Sequence, residues 1–341
     1  MRLLIITQKV DINDDNLGFF HRWVEEFAKR FKNVIVVCLQ KGDYNLPENV
    51  KVLSLGKERG ESKIKYLFNF YKYIWQERKN YDAVFIHMNP EYAVLGGLFW
   101  KLWNKKIGLW YTHKAINSKL RIAEKLVDKI FTASKESFRL NSKKIIVIGH
   151  GIDTERFKPS AINYQQSDKL KIISAGRIAP IKNYEVLIEV AEILRNKNFN
   201  FEIKLAGQPI LKKDKFYLKK LKETIEEKKL NDKIIFVGSV PHKNIADFYR
   251  KGDLFVNFSD TGSVDKTVLE AMSCGLKTLT SNEAFKNILS DKYFTDKNPN
   301  HIAEKIIAFC LKGNTQEARN YVVKNHSLNK TIELISAILN E

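Results

Sequence analysis

The sequence runs twice through the same alternation of a short β-branched apolar run and a stretch with helical periodicity. In the first half the runs are Leu3–Thr7, Val34–Leu39, Ala83–His87, Ile107–Thr112, Ile130–Ala133 and Ile145–Ile148. Gly18–Phe31 is a helical stretch that puts Phe19, Trp23, Phe27 and Phe31 on one face. Short strands that are apolar throughout are buried on both sides, and strands separated by helices pair in parallel under helical cover. The polar segment Ser160–Lys169 then interrupts the pattern and reads as a linker. A second series follows, with runs at Lys171–Ser174, Glu202–Ala206, Lys233–Val237, Leu254–Phe258 and Lys277–Thr280. A chain of 341 residues exceeds one ordinary core. The expected architecture is therefore α/β, with two Rossmann-like domains at 1–162 and 163–313. A helical tail, 314–341, breaks near His326-Ser327 and is free to pack back on the first domain. In such a pair the ligand site lies between the halves, at the carboxyl ends of the strands.

Composition narrows the class. With 44% hydrophobic and 28% charged residues the chain is globular rather than disordered. Cys38, Cys274 and Cys310 are far apart in apolar runs and read as buried thiols of a reducing compartment. The apolar part of the N-terminus is too short for a signal peptide, and no run is long enough to span a bilayer. A cytoplasmic protein is expected, with the inner membrane face as a candidate docking surface. Lys and Arg exceed Asp and Glu by 58 to 39, a net charge of +19. That excess attracts polyanions, or else coats a solvated surface with lysine. Nucleic acid is not an expected partner, because no recognition module accompanies the charge.

The chemistry concentrates in the second half. Ile173-Ser174-Ala175-Gly176-Arg177 ends a strand, and Lys182-Asn183 follows before a helix. Arg177 and Lys182 can thus converge beyond the sheet edge, where two cations would hold a diphosphate and stabilise its growing charge. Ser259–Gly275 supplies a strand end, a small-residue loop and a helix stopped by Gly275. Loop and helix N-terminus offer backbone N–H groups to an anion. Glu270, one turn into the helix, can accept two hydroxyl hydrogen bonds from a ribose.

These pieces carry a resemblance. The whole chain resembles the family-4 retaining glycosyltransferases of the GT-B fold, whose two Rossmann-like domains face each other across a cleft. The matching pieces are Gly18 in the first loop, His113 after Gly108–Thr112, and Gly149-His150-Gly151-Ile152-Asp153 with Phe157 and Pro159. They continue through Gly176-Arg177 with Lys182, Phe236-Val237-Gly238 with Tyr249, Asp253 and Ser259, and Leu269-Glu270-Ala271-Met272 with Cys274-Gly275. The resemblance implies transfer of a sugar from a nucleotide-diphosphate donor to a glycan or lipid-linked glycan, with retention. It implies Arg177, Lys182 and His113 as catalytic residues, His113 bonding a hydroxyl of the transferring sugar. Gly18, Gly176, Gly262, Ser263, Asp265, Lys266, Thr267 and Glu270 are the implied donor contacts. No Asp-x-Asp pair stands where a metal-dependent fold needs one, so neither metal nor other cofactor is expected.

One departure stands out. The family has two glutamates with seven residues between them; Glu270 is the second, and Gly262 occupies the place of the first. Asp265 either substitutes for that carboxylate or simply caps the helix starting at Lys266. A nucleotide-sugar epimerase, a phosphorylase and a non-catalytic nucleotide-sugar binder are the rival readings. His87, also at a strand end, has either an acceptor-contacting or a structural role. Two basic, aromatic stretches, Lys63–Trp75 and Leu98–Lys106, remain. Ile64, Leu67, Phe68, Tyr71 and Trp75 share a helical face, which faces either a core or an anionic membrane surface.

Overall fold

The computed structural model describes residues 1–160, 168–286, 288–311 and 316–341. The expected boundary at 162/163, most of the Ser160–Lys169 linker and the start of the tail at 314 lie outside the described residues. In chain order the elements are β1 (Arg2–Val10), α1 (Phe19–Ala28), β2 (Asn33–Lys41), β3 (Val50–Ser54), α2 (Lys63–Gln76), β4 (Ala83–His87), α3 (Pro90–Leu102), β5 (Lys106–Trp110), α4 (Ser118–Leu126), β6 (Lys129–Thr132) and β7 (Ile145–Val147). There follow β8 (Leu170–Ala175), α5 (Tyr184–Asn196), β9 (Phe201–Ala206), α6 (Lys212–Glu227), β10 (Ile234–Gly238), α7 (Ile245–Arg250), β11 (Leu254–Asn257), α8 (Lys266–Ser273), β12 (Lys277–Thr280), α9 (Pro299–Leu311), α10 (Gln316–Asn325) and α11 (Leu328–Asn340). Two compact units form. The first holds Met1–Asp153, Pro241–Lys243 and Asn325–Glu341; the second holds Thr154–Val240 and Asn244–Lys324.

In the first unit the strands form one parallel sheet in the order β3-β2-β1-β4-β5-β6-β7. Alternate residues of each strand serve different cores, which is why the strands are apolar throughout. Leu3, Ile5, Val34, Val36 and Phe85 join Trp23 and Phe27 of α1 and Ile332, Ile335 and Leu339 of α11. Leu4, Ile6, Ile35, Val37, Val84 and Ile86 join Phe70 and Ile74 of α2, Trp100 of α3 and Leu120 and Ala123 of α4. The tail therefore divides: α10 up to Lys324 belongs to the second unit, and α11 covers the first sheet. On α2 the core face is Phe70 and Ile74; Ile64, Leu67, Phe68 and Trp75 are exposed. Strand β3 is an addition to the sequence reading.

The Gly149–Gly151 segment is a packing joint. Both glycines have positive φ, +84° and +66°. A Cβ on Gly149 would sit 2.0 Å from the Asn325 carbonyl oxygen, and one on Gly151 would sit 2.2 Å from the Trp23 ring. Such a close approach is open to glycine alone. Trp23 Nε1 donates to Gly151 O at 3.2 Å, Ile152 N to His326 O at 2.6 Å, and Leu328 N to Ile152 O at 2.8 Å.

The second unit carries a five-stranded parallel sheet in the order β10-β9-β8-β11-β12. Its core includes Ile172, Ile203, Leu254 and Val256 of the sheet, packed with Leu187, Ile188, Leu194, Leu221 and Ile302 of the helices. Cys38 and Cys274 are buried, and burial pushes both thiols up to about 12.

Candidate functional site

In the second sheet β8 lies between β9 and β11, so the chain leaves β8 toward one side and later returns on the other. A crevice opens at such a switch point, beyond the carboxyl ends of the two central strands. The loops that follow β8 and β11 meet there. Asp260 N donates to Ile181 O at 2.9 Å, and Asn183 Nδ2 donates at 2.8 Å to both Phe258 O and Asp260 Oδ2. Gly176 has φ +147° and Gly207 has φ +140°. A Cβ on Gly207 would fall 1.9 Å from Gly176 O, so the loop after β8 can lie flat on the neighbouring strand end only because residue 207 has no side chain.

Lys182 and Asp265 join the same two loops. Their side chains pair at 3.1 Å and are only 13% and 12% exposed. Asp265 is at the N-cap position of α8, but its side chain makes no capping hydrogen bond. It faces Lys182 and accepts from Asn282 Nδ2 at 3.1 Å instead. The simple-cap reading of Asp265 is thereby corrected: a carboxylate drawn between an ammonium and an amide is turned away from the helix N–H groups. Arg177 is more exposed, with Nε 3.8 Å from Oδ2 of the fully buried Asp214. Asp214 also accepts from Leu211 N at 3.1 Å, so it caps α6 and holds Arg177 at the loop.

Helix α8 begins at Lys266 and buries Val268, Leu269, Ala271 and Met272. Val268 N donates to Asp265 O at 3.2 Å, and the aligned peptide dipoles leave a partial positive charge at that end. The Thr267 Oγ1 atom is buried without a hydrogen-bond partner among the described residues. Gly262 is buried with φ +60°, a left-handed conformation strained for a glutamate, which accounts locally for glycine at this place. Ser263 turns its carbonyl to Thr261 Oγ1 at 3.3 Å and to Asn282 Nδ2 at 2.9 Å. Glu270 is 3% exposed and already engaged. Tyr249 O–H donates to Oε2 at 3.0 Å, and Lys266 Nζ lies 3.6 Å from Oε1. Burial, with the Glu270 carboxylate beside it, holds the Tyr249 phenol well above its usual range, so it stays a donor. A ribose diol would therefore meet a carboxylate oriented by Tyr249 and Lys266, not an open one.

The remaining candidates lie in the first unit. Gly18 is the N-cap residue of α1, and its N–H donates to Asp14 O at 3.2 Å. His113 is exposed in the loop after β5, and its Nδ1 accepts from Ala115 N at 3.0 Å. In the neutral ring the proton then sits on Nε2, which is a donor. His87 is buried, 3.2 Å from Thr7 Oγ1 through Nδ1 and stacked on Phe20 with ring centroids 4.0 Å apart. Among the described residues no three His, Cys, Asp or Glu side chains cluster to hold a metal.

Two contributors escaped the sequence reading. Asp214 is the third residue of the lysine-rich helix α6, with no marker except its place in the first turn. Asn282 is 1% exposed, and its amide nitrogen reaches Thr261 Oγ1, Ser263 O and Asp265 Oδ2, between 2.9 and 3.1 Å. Its position just after β12, at the same sheet edge, was the available signal.

Known proteins place this arrangement in a family. Residues 152–326, just over half of the chain, match the family described as glycosyl transferases group 1. Mannosylfructose-phosphate synthase of Agrobacterium fabrum is 30% identical over 155 residues, 43% of this chain and 34% of that protein. One component of the phosphatidylinositol N-acetylglucosaminyltransferase of Arabidopsis thaliana is 27% identical over 196 residues, 55% of this chain and 42% of that protein. These matches thus span well under half of each relative's own length. The Anabaena protein HepE, solved in complex with UDP, superposes over 100% of both chains with a TM-score of 0.76 at 16% identity. The fold is that of the GT-B glycosyltransferases, and the chain belongs to the group 1 glycosyl transferases.

Proposed function

We propose that this chain is a retaining, family-4 type glycosyltransferase that moves a sugar from a nucleotide-diphosphate sugar to a hydroxyl of a glycan or lipid-linked glycan. The observation that carries the reading is the meeting of Lys182, the 259–265 loop and the N-terminus of α8 at one switch point, with Arg177 in the loop that leads from β8 to Lys182. A diphosphate fits that set: two cations and a helix N-terminus stabilise the charge it gains as the sugar departs. These groups supply positive charge that a metal supplies elsewhere, so the reading needs no metal. To bind it, Lys182 exchanges Asp265 for a phosphate oxygen. Glu270 accepts from the ribose hydroxyls, and Gly176, Gly262, Ser263, Lys266 and Thr267 line the donor.

The first unit binds the acceptor, and His113 donates Nε2–H to a hydroxyl of the transferring sugar. The bond from the anomeric carbon to the phosphate oxygen breaks while the acceptor oxygen bonds on the same face. The departing phosphate oxygen takes the acceptor's proton, so atoms and charge balance. The relatives' names support a glycosyl acceptor of sugar-phosphate or phosphatidylinositol type. Gly262 in place of a donor-contacting glutamate favours one other reading, a nucleotide-sugar binder without turnover. A thermal-shift screen of UDP-, GDP- and ADP-sugars identifies the donor by the ligand that raises the melting temperature. Product analysis with that donor then decides: a new glycoside with the donor's anomeric configuration is expected. Inversion removes the retaining assignment, and binding with no transfer to any acceptor tested favours the binder.

A further inference from the structure

The exposed surface of α2 and α3 is apolar to a degree that the fold does not require. Ile64 is 82% exposed, Phe68 60%, Trp75 54%, Leu98 63% and Leu102 81%. Scattered single residues of this kind are ordinary, but these are grouped on two touching helices. Tyr71 packs on Phe99 with ring centroids 5.6 Å apart, Trp75 on Trp103 at 5.7 Å, and Tyr71 O–H donates to Leu95 O at 3.3 Å. The inward faces of the same helices already fill the core with Phe70, Ile74 and Trp100, so the outward residues have no core left to join.

Basic residues surround the patch. Lys63, Lys65, Lys72 and Lys101 are exposed on the two helices, and Lys79 is exposed just beyond α2. Lys65 Nζ lies 5.4 Å from the centre of the Phe68 ring and the Arg78 guanidinium 4.4 Å from that of Trp75. The only acidic residue of α2 and α3 is Glu91, which pairs with Lys119 at 2.9 Å. Apolar and aromatic side chains within a ring of lysines match an interface whose interior is hydrocarbon and whose surface is negative. A second copy of the chain does not match, because it would press the same lysines against each other. Among the described residues no helix is long and apolar enough to cross a bilayer, so the fit is to its surface.

We propose that α2 and α3 of the first unit form a docking surface for a membrane leaflet rich in anionic headgroups. The proposal is independent of the glycosyl-transfer reading. The full chain is sedimented with phosphatidylcholine vesicles, with or without phosphatidylglycerol, at low and high salt. Binding to the anionic vesicles, weakened by salt, is expected. The double variants Ile64→Asp/Phe68→Asp and Leu98→Asp/Leu102→Asp each lower the partition coefficient about tenfold or more, since binding scales with buried apolar area. All four side chains are exposed, so melting temperatures stay at the wild-type value. Lys65→Glu/Lys101→Glu weakens binding at low salt without touching the apolar face. Phe216→Asp, equally exposed but on α6 in the second unit, leaves binding unchanged. The proposal is overturned if the wild type ignores anionic vesicles at low salt, if the α2 and α3 variants bind normally, or if Phe216→Asp loses as much. It is also overturned if sedimentation equilibrium shows a dimer that those variants dissociate, since a second copy would then be the occupant.

Discussion

Replacing Asp265 with Asn tests what the Lys182–Asp265 pair does. The change keeps size and shape and removes one charge. At 3.1 Å and an effective dielectric near 20, the attraction is about 5 kcal/mol before desolvation is subtracted. Both side chains are almost nine-tenths covered, between the exposed pairs that contribute under ~1 kcal/mol and the buried pairs whose disruption costs ~3–5 kcal/mol. A net contribution of about 2 kcal/mol follows, and Asp265→Asn should lower the melting temperature of the second unit by about 4–8 °C. Binding of the free nucleoside diphosphate should move the other way. In the wild type the diphosphate must displace a carboxylate from Lys182; in the variant it finds the ammonium released. Recovering most of that cost tightens binding about 10- to 30-fold, as calorimetry reads directly. Lys182→Ala in the Asp265→Asn background should abolish the gain. If Asp265 also contacts the donor sugar, kcat falls in the variant while the nucleoside diphosphate binds more tightly, which separates its two roles. Lower stability with unchanged or weaker nucleoside diphosphate affinity would refute the competition, and with it the assignment of Lys182 to the diphosphate.

Three further outcomes follow from the same geometry. Arg177→Ala and Lys182→Ala should each lower kcat/KM by about 30- to 1000-fold, ~2–4 kcal/mol of transition-state stabilisation, and Lys182→Ala, which also breaks the Asp265 pair, should in addition melt lower, as Asp265→Asn does; near-normal rates in both would remove the diphosphate role. Glu270→Gln should weaken nucleoside diphosphate binding about tenfold or more and leave inorganic pyrophosphate binding unchanged, because only the ribose contact is lost. Equal losses for pyrophosphate and nucleoside diphosphate in Glu270→Gln would dissolve the ribose assignment. The third outcome concerns pH. His326 Nδ1 accepts from His150 N at 3.1 Å, and burial, with the His150 imidazole nearby, pushes its pKa down from 6.5 to about 3. The unfolded chain then takes up the proton first as pH falls through 6.5, so stability declines from pH 6.5 toward 3, by about 1.4 kcal/mol per unit for a single proton. Between pH 6.5 and 5 most carboxylates are still ionised, so His326→Asn, which keeps an acceptor in place, should flatten the slope measured by denaturant unfolding. An unaltered slope would show that another group carries it.

How much of this was legible in the sequence depended on whether a residue's partners were local. Strands β1, β2 and β4 could be read because burial on both faces leaves an unbroken apolar run. Strand β3 could not, since it lies at the sheet edge, half-exposed, with Lys51 within it. Both the β8 and the β11 loops follow the carboxyl ends of strands in a parallel sheet, and the family resemblance joined them, which is why Arg177, Lys182 and the start of α8 could be named together; the strand order that brings the two loops side by side is seen only in the fold. What those side chains do to one another was out of reach. Lys182 and Asp265 are 83 residues apart, and the three acceptors of Asn282 lie 17 to 21 residues before it, so neither leaves a local spacing to detect. Helix α2 shows a different limit. Periodicity gave a face of Ile64, Leu67, Phe68, Tyr71 and Trp75, but Phe70 and Ile74 are as apolar and form a second face. A helix apolar on two sides does not state which side is inward. The packing of α2 on β2, beside α3 on β4 and β5, makes that choice, and it leaves the face richer in tryptophan and lysine neighbours outside.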